Sequence, residues 1–169
     1  DVLNIILGQE TEAFHMLVGG RTRSGKSNFL HLLILGLCTN YSPEELDLYL
    51  VDFKDGVEFQ DYVRYHLPHA KAIIIEAERE YGVSVLEYLD NEMERRSRIF
   101  KESNINAVNI QQYREITGKT LPRALVIIDE FVKLFEYDDH LSDLAHSYLL
   151  RIAQRGGAFG IHLVLAAQR

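Results

Sequence analysis

A short polar stretch, GGRTRSGKSN at residues 19–28, interrupts two apolar runs of the sequence. Gly20, Gly25, Lys26 and Ser27 within it fit the pattern G-x-x-x-x-G-K-[ST] without a gap. The glycines let the backbone curl until several N–H groups point at one anion, and the lysine adds a positive charge. The serine hydroxyl is a suitable ligand for Mg²⁺. The stretch therefore predicts a loop that binds the phosphates of ATP together with Mg²⁺.

The predicted phosphate-binding residues cover the whole of this loop. They are Gly20, Arg21, Thr22, Arg23, Ser24, Gly25, Lys26, Ser27 and Asn28. The pattern leaves positions 21–24 free to vary, so Arg21 and Arg23 either add to the attraction for phosphate or are simply solvated. Lys26 is also a candidate catalytic residue, because its charge would face the β- and γ-phosphates.

A pair of acidic residues, Asp129 and Glu130, ends the apolar run ALVII. In enzymes with such a phosphate loop, an aspartate at the end of a neighbouring buried strand holds Mg²⁺ together with the loop Ser or Thr. We therefore predict that Ser27 and Asp129 are metal ligands. Glu130 is placed to polarise the attacking water as a general base, a residue that a purely signalling switch would not need.

Polar residues also end two further apolar runs. Gln168 follows IHLVLAA, where it either contacts the γ-phosphate or its attacking water, or is only the polar end of a strand. We treat it as a third candidate catalytic residue. Asp52 and Lys54 follow DLYLV, and they either face the same crevice at the carboxyl ends of the strands or begin a polar loop.

The elements that would position these residues alternate along the chain. Strand-like apolar runs lie at 13–18, 47–53, 70–76, 124–129 and 161–167, and helical patterns lie at 26–39, 80–101, 106–115 and 141–152. The helix at 26–39 is so apolar that we expect it to be buried nearly all round. Alternating strands and helices predict an α/β fold, a mostly parallel sheet with helices on both faces.

Composition narrows the class of protein. The 169 residues are 47% hydrophobic, which suits one compact domain. A net charge of -7 argues against a monomer that coats nucleic acid with a basic surface. Either nucleic acid is not the partner, or its contacts are few and local, or other domains supply them. The single cysteine, Cys38, excludes an intrachain disulfide and favours a reducing compartment, so we expect the chain to be cytoplasmic. No apolar run reaches the roughly 18 residues that span a membrane.

From about residue 14 to its end, the sequence resembles the FtsK/SpoIIIE motor ATPases. The matching segments follow the order of that family, and they are HMLVGGRTRSGKSNFLHLLILGL, LYLVDFKDGVEF, NEMERRSRIF, LPRALVIIDEF and RIAQRGGAFGIHLVLAAQR. The resemblance implies a RecA-like P-loop fold, a homo-hexameric ring and ATP-driven translocation of double-stranded DNA. It also implies that Asp129 and Glu130 form the Walker B pair and that Gln168 is the sensor residue.

The chain departs from the family in two places. Family members often carry an arginine between the last helix and GIH, where this chain has Gly157. They also continue with another strand and helix after AAQR. We therefore expect residues 1–169 to be a single ATPase domain that is truncated at its C-terminus and excised from a longer protein, whose other regions could include a membrane anchor. Arg151, Arg155 and Arg169 are candidates for an arginine that reaches a neighbouring subunit's nucleotide.

Three functions are compatible with these residues. We expect a motor that translocates duplex DNA as a ring. The alternative is an ATPase that drives secretion of a peptide or protein, because a branch with similar motors drives type VII secretion. A nucleotide-binding structural module without turnover is the third, and Glu130 argues against it.

Overall fold

The computed structural model describes residues 5–8, 11–21, 23–54, 58–75, 78–102 and 104–168. The strands are β1 (Met16–Gly20), β2 (Leu46–Asp52), β3 (Ala70–Ile74), β4 (Arg123–Asp129) and β5 (Ile161–Gln168). The helices are α1 (Lys26–Asn40), α2 (Gln60–Arg64), α3 (Arg79–Phe100), α4 (Ile110–Thr117) and α5 (His140–Arg155). Two short 3₁₀ helices, Phe131–Phe135 and Gly156–Phe159, follow β4 and α5. Every predicted element is present, whereas the sequence did not predict α2 or the 3₁₀ helices.

All five strands run parallel in the order β1-β5-β4-β2-β3. The predicted α/β class with a parallel sheet is therefore confirmed. One expectation was wrong: β4, which ends in Asp129, is not next to β1, because β5 lies between them. Local periodicity predicts each strand but carries no information about where the last strand inserts. At about 4.8 Å per strand, β5 puts roughly 10 Å between β1 and β4.

Helices cover both faces of the sheet, as predicted. Successive residues of β2 point to opposite faces, and all seven are buried. Leu48 and Leu50 pack on the side of α1 and α2, whereas Tyr49 and Val51 pack on the side of α3 and α5. Each leucine buried in this way contributes roughly 2 kcal/mol from the apolar surface that it removes from water.

The expectation that α1 is buried nearly all round was wrong. Only Lys26, Leu30 and Ile34 of this helix are buried, and they follow one another at the four-residue spacing of a single helix face. Leu32 and Leu35 are 71% and 51% exposed. The reason is geometric, because a helix lying on a sheet touches it along one line, and nothing among the described residues covers the opposite side of α1.

Within the described part of the chain, the helices are too short or too polar for any of them to cross a lipid bilayer.

A buried histidine, His162 of β5, links the strand to its surroundings. Its Nδ1 lies 2.8 Å from the carbonyl oxygen of Phe14 and its Nε2 lies 3.1 Å from Nη1 of Arg123. Since a guanidinium can only donate, Nε2 accepts, and the proton is on Nδ1. Burial lowers the pKa of His162 to about 4. The folded protein therefore holds this imidazole neutral.

We predict that acid destabilises the fold through His162. The unfolded imidazole takes up a proton near pH 6.5 and the folded one only near pH 4, so its contribution to stability is complete above pH 6.5 and is lost as the pH falls to 4. The loss amounts to about 3 kcal/mol. Urea unfolding across this range measures it, and His162→Asn, which keeps a donor for Phe14, should flatten the profile.

The matched control is His146→Asn, because His146 lies exposed on α5. If His162→Asn shows the same loss of unfolding free energy between pH 6.5 and pH 4 as the parent protein and this control, His162 is not its source.

Candidate nucleotide-binding site

The loop between β1 and α1 has the curled backbone that its glycines predict. Gly25 has a φ of 91° and Arg23 a φ of 66°, both in the left-handed region. The N–H of Ser24 donates to the carbonyl of Arg21 at 3.0 Å and closes a turn. A Cβ atom at Gly20 would meet the Ser24 hydroxyl, so a larger residue there would make that side chain rotate away. Thr22, also predicted to bind phosphate, lies outside the described residues.

The N-terminus of α1 is open towards this loop. The helix has no side-chain cap and no acidic residue in its first turn. By contrast, Asn109 and Asp139 cap α4 and α5 through their side chains. The first N–H groups of a helix lack intrahelical acceptors and carry partial positive charge. The start of α1 is thus suited to an anion, and the loop residues predicted to contact it are exposed, namely Arg21, Arg23, Ser24, Gly25 and Asn28.

Lys26 joins the loop to the acidic pair, which lies more than 100 residues later in the chain. Its Nζ is hydrogen-bonded to Oδ1 of Asp129 and lies 2.9 Å from Oε1 of Glu130. Lys26 is 8% exposed and Asp129 is 2% exposed. The structure therefore brings together three of the predicted site residues at the carboxyl ends of the strands, and the lysine side chain spans the gap that β5 creates.

Burial and charge act in opposite directions on these groups. Burial alone would lower the pKa of Lys26, but the hydrogen bonds and charges of Asp129 and Glu130 outweigh it and raise that pKa. Burial raises the pKa of the Asp129 carboxyl above its usual range, although Lys26 opposes the rise. One ammonium faces two carboxylates, so a phosphate can enter favourably only if Lys26 turns to it and another cation takes over the carboxylates.

The oxygen ligands at the site suit Mg²⁺. The Ser27 hydroxyl and the Asp129 carboxylate are hard donors of the kind that this ion prefers. No cluster of three or more His, Cys, Asp or Glu side chains in the described ranges could hold a metal ion. A metal at Ser27 and Asp129 would therefore need further oxygens from phosphates and water, as is usual in phosphate-loop enzymes.

Glu130 is held in a strained conformation by its neighbours. Its φ of 54° lies in the left-handed region, which costs a non-glycine residue about 1–2 kcal/mol. The N–H of Glu130 donates to Oδ1 of Asp129 at 3.0 Å, and the N–H of Gln168 donates to Oε2 of Glu130 at 3.3 Å. Gln168 in turn pairs with Gly20 in the ladder between β1 and β5. The last residue of β5 thus lies between the loop and the acidic pair.

Asp52 lies at the same edge, beside Asp129 in the ladder, but it supports its own loop. Its carboxylate accepts the N–H groups of Lys54 and Glu58 at 2.8 and 3.2 Å. Burial raises the pKa of Asp52, and the charge of Asp129 adds to the rise. Lys54 is exposed. The structure thus favours the loop-forming alternative for Asp52.

Arg79 is a positioning residue that sequence reasoning missed. It donates to both carboxylate oxygens of Asp139 at 2.7 and 2.8 Å, and to the carbonyl of Leu134 at 3.0 Å. These bonds tie the start of α3 to the 3₁₀ helix that follows Glu130 and to the start of α5. No sequence signal could have found it, because its partners are 55–63 residues away.

The arginines of α5 lie far from this edge. Helix α5 runs towards the amino end of β5, so its C-terminal turn, which carries Arg155, lies at the amino ends of the strands. The phosphate loop lies at their carboxyl ends. Arg151 pairs with Asp90 through two hydrogen bonds of 2.9 and 2.8 Å, and Arg155 donates to Glu94 at 2.9 Å. Neither reaches the loop of its own chain, and Arg169 lies outside the described residues. A role in a neighbouring subunit stays a prediction.

Comparison with known proteins identifies the family. The model of the FtsK/SpoIIIE family matches residues 4–169. This chain belongs to the FtsK/SpoIIIE family. The resemblance seen in the sequence is thus confirmed, as is the P-loop ATPase fold that it implied.

Relatives of this FtsK/SpoIIIE chain differ in their named roles. DNA translocase FtsK of Clostridium tetani is 35% identical over 98% of the chain, which spans 22% of that protein. The conjugation coupling protein TcpA of pCW3, solved with ATPγS, is 30% identical with a TM-score of 0.73, over 92% of this chain and 43% of that one. The cytoplasmic domain of the type VII secretion ATPase EccC of Thermomonospora curvata is 28% identical with a TM-score of 0.74. The match covers 96% of this chain and 19% of that one.

We predict that Lys26→Met destabilises the ligand-free protein by about 3 kcal/mol, because it leaves buried carboxylates without their cation. The double variant Lys26→Met/Asp129→Asn should recover most of this loss. Urea unfolding without nucleotide measures both. Lys133→Met is the control, since it breaks only an exposed pair with Glu136. Equal free energies of unfolding for Lys26→Met and this control would contradict the network.

Proposed function

We propose that this chain is an ATP-hydrolysing motor domain that translocates double-stranded DNA as a homo-hexameric ring. The observation that carries the proposal is the meeting of Lys26, Asp129 and Glu130 beside an uncapped helix terminus. Membership of the FtsK/SpoIIIE family supports ATP as the substrate, and a solved relative carries ATPγS. The 169 residues would act as one such domain, in the cytoplasm.

In this proposal the loop and the helix terminus bind the triphosphate. Backbone N–H groups at residues 25–27 would donate to phosphate oxygens, and Lys26 would orient the β- and γ-phosphates. Ser27 and Asp129 would hold Mg²⁺, which neutralises charge on the phosphates when bound. Glu130 takes a proton from the attacking water as general base. Gln168 would contact the γ-phosphate or that water.

The ligand-free geometry also implies an order of events. Lys26 bonds Oε1 of Glu130, and the N–H of Gln168 donates to Oε2, so both carboxylate oxygens already accept a hydrogen bond. When the phosphates recruit Lys26, the pair breaks and the Glu130 carboxylate becomes available. In the proposed mechanism, binding of nucleotide thereby releases Glu130, the residue that acts as the base.

The named roles of the relatives define two candidate cargoes for the motor. We favour duplex DNA, because a relative named as a DNA translocase is 35% identical to this chain. The alternative is a secreted peptide or protein, which the likeness to a type VII secretion ATPase supports. With a net charge of -7, DNA contacts would come from a few local segments of an assembled ring.

We predict that Glu130→Gln keeps ATP binding but lowers turnover by roughly 10² to 10⁴, because it removes the base and preserves the size of the side chain. Asp129→Asn should instead weaken binding that depends on Mg²⁺. Calorimetric titration with ATP, with and without Mg²⁺, and steady-state hydrolysis separate the two effects. Hydrolysis by Glu130→Gln at the parental rate would exclude Glu130 as the base. If the parent protein binds ATP but does not hydrolyse it, the chain is instead a nucleotide-binding structural module.

We predict that the assembled ring binds duplex DNA with little sequence preference and with an affinity that falls steeply with salt. Fluorescence anisotropy from 50 to 300 mM salt, on assembled and dilute protein, measures this, and ATPase rates with duplex, single strands and peptide identify the cargo. Turnover that a peptide stimulates and DNA leaves unchanged would move the function to secretion. Tight DNA binding by the monomer would also contradict the proposal.

A further inference from the structure

A cavity lies at the amino ends of the strands, on the opposite side of the sheet from the phosphate loop. It has a volume of about 360 Å³, and it lies between the C-terminal half of α1, α4, residues 5–8 and the amino ends of β2 and β4. This size falls within the range of about 300–1,000 Å³ that is usual for small-ligand sites. Leu33 and Leu37 of α1 and Leu46 and Leu125 of the strands form apolar walls. The polar part of its lining includes Arg114 and Arg123.

These two arginines lack the nearby carboxylate that pairs with several other arginines of the chain. Arg79, Arg95, Arg96, Arg151 and Arg155 each have a carboxylate within 3 Å. Neither Arg114 nor Arg123 has a carboxylate within 4 Å among the described residues, although both are only partly exposed. Burial lowers the pKa of each guanidinium, and Arg114 lowers that of Arg123 further by repulsion.

Within the part of the chain that the structure describes, both guanidinium groups have N–H donors that no protein acceptor takes up. Arg114 gives Nε and Nη2 to the carbonyl of Leu121, which leaves Nη1. Arg123 gives Nη1 to the neutral His162, which leaves Nε and Nη2. The remaining N–H groups lie in a partly buried position, where a charge-assisted hydrogen bond is stronger than in water.

The acidic residue in the lining cancels only part of this charge. The charge of Glu45 acts attractively on Arg114, and Oε2 of Glu45 also accepts the N–H and the hydroxyl of Ser42 at 2.9 Å. Arg96, which is paired with Glu92, repels Arg123 as Arg114 does. With His162 neutral, the lining keeps one net positive charge in a chain whose net charge is -7.

We propose that this cavity binds a carboxylate carried on an apolar stem. The carboxylate would accept the free N–H groups of Arg123 and Arg114, and the stem would lie against the leucines of α1 and the strands. The source of such a group is either a free aliphatic acid or a carboxylate of a short apolar peptide. This binding is separate from ATP hydrolysis, and it requires no residue of the phosphate loop.

The test uses octanoate as the probe, with octanol and acetate for comparison, titrated into the protein by calorimetry. We expect octanoate to bind at least about tenfold more tightly than octanol, which lacks the charge, and than acetate, which lacks the stem. Arg123→Met should weaken octanoate binding about tenfold or more and leave octanol binding unchanged. Arg155→Met is the matched control, since that exposed arginine lies outside the cavity, and it should bind octanoate like the parent protein.

A peptide arm separates the two sources. The peptide Ala-Leu-Leu-Leu is titrated as the free acid and as the C-terminal amide. If the free-acid peptide binds the protein more tightly than octanoate does, the site is assigned to a peptide carboxylate. If octanoate binds more tightly than the free-acid peptide, the site is assigned to a free aliphatic acid. Equal affinity of octanol and octanoate, or no octanoate binding by the parent protein, overturns the proposal. The comparison of probes on the parent protein decides the matter even if Arg123→Met fails to fold.

Discussion

The contact of Lys26 with Asp129 and Glu130 is the interaction on which the rest of the candidate site depends. It connects residues that are more than 100 positions apart and closes the gap that β5 leaves between β1 and β4. Because the three side chains lie at one edge, the loop, the acidic pair and the end of β5 share one environment. In the proposed mechanism, the same ion pair must open before Lys26 can reach a phosphate.

The sequence predicts what is local and misses what depends on long-range packing. The phosphate loop, the strands and the end of β4 could be predicted, because each follows from residue types at fixed spacing. The separation of β4 from β1 by β5 could not, since strand order depends on contacts between distant segments. The exposure of Leu32 likewise depends on what covers α1 rather than on its own composition. The hydrogen bonds of Arg79 and the cavity at Arg123 could not be predicted either, because both depend on contacts between distant segments.

The segment NEMERR shows how a sequence signature far from the site still affects it. Met93 is fully buried, and Glu92 bonds both Arg95 and Arg96. Arg96 is 2% exposed and donates to the carbonyl of Phe159 at 2.8 Å. Phe159 lies just before β5, so this bond fixes the point at which the last strand enters the sheet. The signature therefore acts as an anchor for β5, and through β5 for Gln168.

The place of β1 at one side of the described sheet leaves room for a further strand. Within the described ranges, β1 pairs only with β5, and Leu17 of β1 is 72% exposed. The backbone groups on the other side of such a strand can accept an added strand through main-chain hydrogen bonds. Because β1 ends at Gly20, a strand added there would lie directly beside the phosphate loop.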